Sequence, residues 1–398
     1  MSMPSQNCSS SESDQWKQLA PAGKPRAVVV TNIPSPYRNS VYQRLAGKLG
    51  YDYLHVVFCA GREANREWII AQQGFAHTFL QENSKEWEGR YIHSNPEVIA
   101  VLRRLQPDVV VTNGFNPTHL YAFGYAVLAG KAHVPMTDGT LESERSLAWI
   151  HRVIRRVVYR RSRAFVGASQ GSARLYADYG IAPKLFFQSH LCANNEAFLP
   201  YLSRQRCFDF MFCGRFSPGK NPIFALNVAA GVARELGRKV SMLFVGSGPL
   251  FDEVCAYAAT LTNEVEVKFS GFVQPEDLPG LYCSARIFLF PSSLDTWGVV
   301  ANEACAAGQA VMVTPFAGVA DELVVNGKNG FVLPLSLSLW IERGARLLSG
   351  GQLLEQFSSN SRLRVQSYSY DAAAQGLVDA ILSAAGQTLP VKAQRHGG

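Results

Sequence analysis

The sequence predicts an α/β protein built from two doubly wound domains in tandem. Short β-branched, wholly apolar runs typical of buried parallel strands recur along the chain, and most lead through a loop into a stretch with helical spacing. This alternation stops at the polar segment 199–206 and then starts again. With 398 residues, 47% of them hydrophobic, the chain can bury two cores.

The Ser-, Gln- and Pro-rich start of the chain lacks an apolar signal core, so we predict a disordered leader over residues 1–24. The predicted domains follow at 25–198 and 199–367, with a last helix and tail at 368–398. In the first domain we expect strands at 26–31, 53–58, 108–112, 133–137 and 164–169. In the second we expect strands at 208–213, 240–245, 265–269, 286–290, 310–314 and 330–333.

The eight cysteines form no CxxC pair, and several fall within apolar strand or helix patterns. This favours buried free thiols in a reducing compartment over a disulfide framework or a zinc site. No apolar run approaches the roughly 18 residues that a membrane span needs. The net charge of +7 lies in the first half, where residues 1–200 hold 22 Lys and Arg against 15 Asp and Glu.

Part of this positive charge is concentrated in a predicted helical stretch at 143–163, which has seven arginines between 145 and 163. Apolar residues at 149, 150, 153, 154, 157 and 158 form a complementary stripe. One interpretation is a surface helix with a solvated basic face. A second is an interfacial helix, 145–163, attracted to anionic lipid. Nucleic-acid binding is a third, but without interleaved aromatic residues we do not expect it.

Candidate binding chemistry follows the strands of the second domain. Asp295 lies in the loop after strand 286–290, and Glu303 lies in the helix that begins near Val299. Loops at the carboxyl ends of strands face the ligand crevice, and a helix N-terminus there can bind phosphate. Because carboxylates repel phosphate, Asp295 and Glu303 are better suited to accepting hydrogen bonds from sugar hydroxyls.

Two further loops of this domain point to a diphosphate. Arg215 and Lys220 follow strand 208–213, and a cation pair in such a loop can hold a diphosphate. Gly246 and Gly248 follow strand 240–245 and would let the backbone approach a ligand closely. A solvated loop would carry the same residues, but all of these loops belong to one sheet and face one crevice.

Taken in order, these motifs resemble the nucleotide-sugar domain of the family-4 retaining glycosyltransferases, which have the GT-B fold. The resemblance covers residues from about 209 to 333; the first domain resembles the family more loosely, through Pro36-Tyr37-Arg38 and the helix after Ser169. The matching motifs are Gly214-Arg215 with Lys220, Phe244-Val-Gly246-Ser-Gly-Pro249, Phe269-Ser-Gly271, Phe290-Pro-Ser292, Asp295-x7-Glu303, Ala307-Gly308, and Glu322 before Gly327 and Gly330-Phe.

The resemblance implies two Rossmann-like domains facing a cleft, with the last helix returning to the first domain. Arg215 and Lys220 would bind the donor diphosphate and Glu303 the ribose hydroxyls, while Asp295 would contact the transferred sugar. The residues implied to lie along the phosphate, sugar or base are Gly246, Gly248, Gly271, Phe272, Val273, Thr296, Trp297 and Gly298.

Two positions depart from the family pattern. Asp295 stands where the family usually has Glu, one methylene longer. In the first domain Asp138 stands where members commonly carry a His, and His119 is the nearby substitute candidate. Either Asp138 or His119 could therefore hold the catalytic place of the missing His.

We thus expect a retaining glycosyltransferase of polysaccharide or cell-envelope biosynthesis. It would use a UDP- or GDP-linked sugar, no metal and no other cofactor, and a sugar or lipid-linked acceptor. The expected location is cytoplasmic, peripheral at the inner face of the membrane. The alternatives are a non-catalytic GT-B protein that binds a nucleotide sugar or a partner enzyme, and a GT-B nucleotide-sugar epimerase or hydrolase.

Overall fold

The computed structural model describes residues 23–64, 66–68, 73–87, 90–145 and 147–387. Nearly all of the predicted leader, residues 1–22, and the tail from 388 onward lie outside the described residues. Within the described residues the chain forms a first parallel sheet, a second parallel sheet and an antiparallel hairpin. Helices cover both faces of the two sheets, so the predicted doubly wound α/β class is confirmed.

The first sheet has seven described strands: β1 (Ala27–Thr31), β2 (Leu54–Phe58), β3 (Ala76–Phe79), β6 (Val109–Asn113), β7 (Ala132–Thr137), β8 (Phe165–Gly167) and β9 (Phe186–Gln188). The hairpin is β4 (Ser84–Trp87) with β5 (Arg90–His93). The strands of the sheet lie in the order β3-β2-β1-β6-β7-β8-β9, all paired in parallel. β3, β9 and the hairpin are absent from the predicted strands, because these segments are polar, alternating or only three residues long.

The helices of the first domain are α1 (Pro36–Leu49), α2 (Val98–Leu105), α3 (Pro117–Leu128), α4 (Leu141–Arg145), α5 (Trp149–Arg160) and α6 (Gln170–Asp178). Ser35 caps the N-terminus of α1, because its side chain accepts the backbone N–H of Arg38, and Pro36 lies in the first turn. Ser169 caps α6 in the same way. The single basic helix predicted at 143–163 is instead two, α4 and α5.

The second sheet has six described strands: β10 (Phe208–Cys213), β11 (Val240–Val245), β12 (Val265–Phe269), β13 (Ala285–Phe290), β14 (Ala310–Val313) and β15 (Gly330–Val332). Their order, β12-β11-β10-β13-β14-β15, repeats the topology of the first sheet. The helices are α7 (Pro222–Leu236), α8 (Phe251–Ala259), α9 (Leu278–Cys283), α10 (Val299–Ala306), α11 (Leu337–Ser349), α12 (Gly351–Val365) and α13 (Tyr370–Ala384). α12 was not predicted, because its polar residues obscure the helical spacing.

The last helix, α13, packs on the first domain. Ala373, Leu377 and Ile381 share one core cluster with residues of β1 and α1, such as Val29 and Leu45. Gly376 lies so close to β9 that a Cβ there would be 1.8 Å from the Gln188 carbonyl oxygen. Helix and strand therefore meet backbone to backbone, which ties the end of the chain to the first sheet.

The seven described cysteines are free thiols. Within the described residues, no helix is both long and apolar enough to cross a bilayer. No described group of three or more His, Cys, Asp or Glu side chains is arranged to hold a metal ion.

Candidate active site

The strand order determines where the second domain can bind a ligand. The order reverses between β10 and β13, and in doubly wound sheets the crevice opens at the carboxyl ends of the two strands flanking that point. The loop after β10 carries Arg215 and Lys220, and the loop after β13 carries Asp295. This topology brings Lys220 and Asp295 together although they are 75 residues apart in sequence.

Lys220 and Asp295 form an ion pair, from Nζ to Oδ2. The Lys220 ammonium also lies 5.6 Å from the centre of the Phe290 ring. The other carboxylate oxygen of Asp295, Oδ1, accepts the backbone N–H of Trp297 at 3.2 Å. Because one oxygen is held by a cation and the other by the backbone, the Asp295 carboxylate is fixed at the mouth of the loop.

Arg215 differs from Lys220 in having no intramolecular ion pair within the described part of the chain. Its side chain is exposed, and it lines two adjoining cavities of about 560 and about 550 Å³ between the domains. A guanidinium that faces a cleft without a carboxylate partner is available for an anionic ligand.

Glu303 is 3% exposed in α10 and lines the second of these cavities. The hydroxyl of Tyr282 donates to Oε2 at 2.7 Å and that of Tyr37 donates to Oε1 at 3.1 Å. Burial raises the pKa of Glu303 to about 7, while the two tyrosine hydrogen bonds act in the opposite direction. The side chain is thus a buried carboxyl whose two oxygens are both held by phenolic hydroxyls.

Tyr37 connects the two domains at this point. It lies in the first turn of α1, next to Arg38, and lines both cavities. In the sequence, the Pro36-Tyr37-Arg38 motif carries a family resemblance but indicates no role for Tyr37. Since the donor hydroxyl and the acceptor carboxylate are 266 residues apart, only the assembled cleft reveals the pair.

The glycines after β11 serve the neighbouring loop as well as the cavity. A Cβ on Gly246, where φ is +128°, would lie 2.0 Å from the carbonyl oxygen of Gly214. A Cβ on Gly248 would lie 2.6 Å from the carbonyl oxygen of Phe216. Gly246 and Gly248 both line the second cavity with Phe272 and Val273, so this loop both supports Arg215's loop and forms the cavity wall.

Three predicted binding residues do not line either cavity: Gly271, Thr296 and Trp297. The carbonyl of Gly271 accepts the N–H of Gly246 at 2.7 Å, which is a supporting role. The Trp297 side chain is fully buried, with its indole N–H donating to Asn302. The backbone N–H of Trp297 donates to Asp295 in this structure, and its contact to a donor phosphate stays a prediction from the sequence. Gly298 does line the first cavity.

The first domain contributes Asp138 to the cleft but not His119. Asp138 lines the first cavity and forms an ion pair with Arg38 at 2.7 Å. His119 is 1% exposed, packs against the loop at Gly114, and lines neither cavity. Burial lowers the pKa of His119 to about 3, which keeps the ring neutral. His119 therefore lies inside the domain and away from the cleft, and its catalytic role stays a prediction from the sequence.

The described residues also hold the domains together beside the cleft. The carboxylate of Glu322, in the segment between β14 and β15 of the second domain, accepts the backbone N–H of Gln170 at 2.8 Å and the side-chain amide of Gln188 at 2.6 Å. Glu67 of the first domain accepts the Ser247 hydroxyl at 2.6 Å. Arg66 and Trp68, beside Glu67, line both cavities. Nothing in the sequence had pointed to this segment.

Comparison with solved structures identifies the fold as GT-B. The Anabaena protein HepE, crystallised in complex with UDP, superposes with a TM-score of 0.71 over 90% of this chain and 100% of HepE, at 16% identity. WaaG, a glycosyltransferase involved in lipopolysaccharide biosynthesis, superposes with a TM-score of 0.62 over 89% of this chain and 99% of WaaG, at 15% identity.

At the sequence level, residues 200–364 match the family model described as Glycosyl transferases group 1. Spore coat protein SA of Bacillus subtilis is 30% identical over 166 residues, covering 39% of this chain and 44% of that protein. An uncharacterized glycosyltransferase of Methanocaldococcus jannaschii is 28% identical over 174 residues, covering 42% of this chain and 43% of that protein. The similarity thus spans less than half the length of these curated relatives.

Proposed function

We propose that this protein is a retaining glycosyltransferase that moves a sugar from a UDP- or GDP-linked donor to a polysaccharide, glycolipid or similar acceptor. The observation that carries the proposal is the convergence of Arg215, Lys220, Asp295 and Glu303 on one interdomain cleft. The match of residues 200–364 to group 1 glycosyl transferases supports it. So does the shared fold with HepE, whose crystal structures contain UDP with glucose, and UDP-glucose.

Each group has a place in the proposed reaction. Glu303 accepts hydrogen bonds from the ribose, and Arg215 and Lys220 bind the diphosphate. As the bond between the anomeric carbon and the diphosphate breaks, negative charge develops on the departing oxygen, and the two cations stabilise it. Asp295 accepts from a hydroxyl of the transferred sugar. The new bond to the acceptor oxygen forms on the face that the diphosphate leaves, and the proton of the acceptor hydroxyl passes to the departing diphosphate oxygen.

On the acceptor side, the first domain offers Asp138, which its ion pair with Arg38 holds at the cleft. A carboxylate so placed accepts a hydrogen bond from an acceptor hydroxyl. The proposed place of action is the cytoplasm, at the inner face of the membrane, where a lipid-linked acceptor would be presented. The positive charge of the first domain is what motivates this location.

The proposal is tested first by thermal unfolding of the purified protein with a panel of nucleoside diphosphates and their sugars. A ligand at a hundredfold excess over its Kd stabilises the folded state by about 2.7 kcal/mol. We expect a shift with one base only, and its loss in Arg215→Ala. No shift with any nucleotide from folded protein would reject the donor site. With the donor identified, NMR of the product anomer distinguishes retention from inversion.

A further inference from the structure

The apolar stripe of α5 faces solvent rather than the core. Four large hydrophobic side chains of this helix are exposed, by fractions between 40% and 73%: Trp149, Ile150, Val153 and Val157. The helix is held to the domain instead through Val158 and Tyr159, which pack with Phe165 and Tyr176. A surface helix ordinarily turns its apolar stripe inward, so this orientation requires an explanation.

The same exposed face carries uncompensated positive charge. Arg152, Arg156 and Arg160 alternate with the stripe and are exposed. Across the described residues, none of these three forms an ion pair with a carboxylate. By contrast Arg155, on the inner side, is paired with Glu144 at 3.0 Å and lies 4.3 Å from the centre of the Phe115 ring. The paired arginine of the helix thus faces the domain, while its unpaired arginines face solvent beside the exposed apolar residues.

A cavity of about 300 Å³ opens between α4, α5 and α6 beside this face. Arg145, Arg152 and Arg156 line it, together with the carboxylates of Glu144 and Asp178. The charge of Glu144 is already matched by Arg155. Three guanidinium groups around one recess thus outnumber the single remaining carboxylate, and a phosphate group is the ligand that such geometry binds best.

We infer that α5 and the arginine-lined cavity form a docking surface for an anionic lipid bilayer, with the apolar stripe entering the interface and the cavity binding a lipid phosphate. Charge complementarity selects this occupant, because the cytoplasmic leaflet is negatively charged and basic amphipathic helices lie in its headgroup region. Tryptophan at such an interface has its preferred environment. This inference rests on the membrane location given in the proposed function and adds the surface that contacts the bilayer. It does not depend on the transfer reaction.

The docking surface also borders the cleft. α4 starts at Leu141, three residues after Asp138, which lines the first interdomain cavity. The chain leaves the carboxyl end of β7, passes through α4 and α5, and returns to the amino end of the parallel strand β8. Trp149, the first residue of α5, therefore lies toward the carboxyl edge of the sheet, where the cleft is. A bilayer in contact with this surface would bring a lipid-linked sugar to the mouth of the cleft.

Vesicle flotation of the full chain tests the inference, with vesicles of phosphatidylcholine alone or mixed with phosphatidylserine. We expect flotation with the anionic vesicles only. Replacing Arg152 and Arg156 by Gln should weaken the partitioning about twenty-five-fold, since each basic side chain near an anionic surface contributes about fivefold. Trp149→Ala combined with Val153→Ser should weaken it at least tenfold with the charge unchanged.

The matched control is Leu363→Ser combined with Arg346→Gln, two exposed positions in the second domain. It should float like the wild type, and a loss of about fivefold from its one removed arginine would show that net charge alone governs binding. If the wild type floats equally with neutral and with anionic vesicles, the proposed role of the arginines is overturned. Binding to a duplex oligonucleotide that the arginine variant loses and the Trp149 variant keeps would overturn the lipid assignment. Nucleotides should shift the thermal unfolding of all these variants as they shift the wild type. A loss of membrane binding is then independent of the donor site.

Discussion

The buried carboxyl of Glu303 makes stability depend on pH, and Glu303→Gln isolates the effect. The pKa of Glu303 is raised from 4.5 to about 7 by burial. In that pH range the folded chain keeps a proton that the unfolded chain has lost, so the free energy of unfolding falls as pH rises. At about 1.4 kcal/mol per pKa unit, the loss from pH 4 to pH 8 is roughly 3 kcal/mol.

The amide that replaces the carboxyl in Glu303→Gln cannot ionise, so this loss disappears in the variant. Urea unfolding at pH 5, 6, 7 and 8 should give two curves that diverge with rising pH, the variant gaining relative to the wild type. Glu355→Gln, at an exposed position on α12, controls for the amide substitution itself. Its free energy of unfolding should differ from that of the wild type by the same amount at every pH. A buried, ionisable Glu303 is disproved if the wild type becomes more stable relative to the Glu303 variant as pH rises, or if the difference in their free energies of unfolding does not change.

Three other substitutions test the cleft. Lys220→Ala should lower transferase turnover by a hundredfold or more with the fold intact, because a charge-assisted contact to the leaving diphosphate is lost; Lys220→Arg should retain part of the rate. Tyr37→Phe should tighten nucleotide binding about fivefold by calorimetry, because a ribose then need not displace a hydroxyl from Glu303; weaker binding would show that Tyr37 contacts the ligand instead. Gly246→Ala should destabilise the protein by more than about 2 kcal/mol in urea unfolding, because a Cβ would overlap the Gly214 carbonyl; wild-type stability would disprove that close approach.

Much of the fold follows from local pattern. Buried parallel strands are continuous apolar runs, and the strands 26–31, 208–213 and 286–290 were recognisable because almost nothing polar interrupts them. The loops that follow them carry Arg215, Lys220 and Asp295, so the sequence also indicated which residues reach the crevice. The polar edge segment β3 and the helix α12 lacked this signal, because their stability comes from contacts with distant parts of the chain.

The candidate site shows the same division. The candidate residues of the second domain could be predicted from the sequence, because each lies in a segment that follows a strand of the same sheet. Tyr37 could not be assigned, since its partner is supplied by another domain. His119 was a candidate only because the sequence does not tell which side of α3 is covered, and the structure buries it.

The sequence by itself determined the α/β alternation, the two repeats and the polar loops at the strand ends. These are local properties, because they depend on the spacing of apolar residues and on turn-forming residues over a few positions. Tertiary structure alone decided that Tyr37 meets Glu303, that His119 is buried, and that the apolar stripe of α5 faces outward. Each of these depends on which surfaces pack together across the chain, and hydrophobic burial is non-directional, so no local pattern specifies the partner.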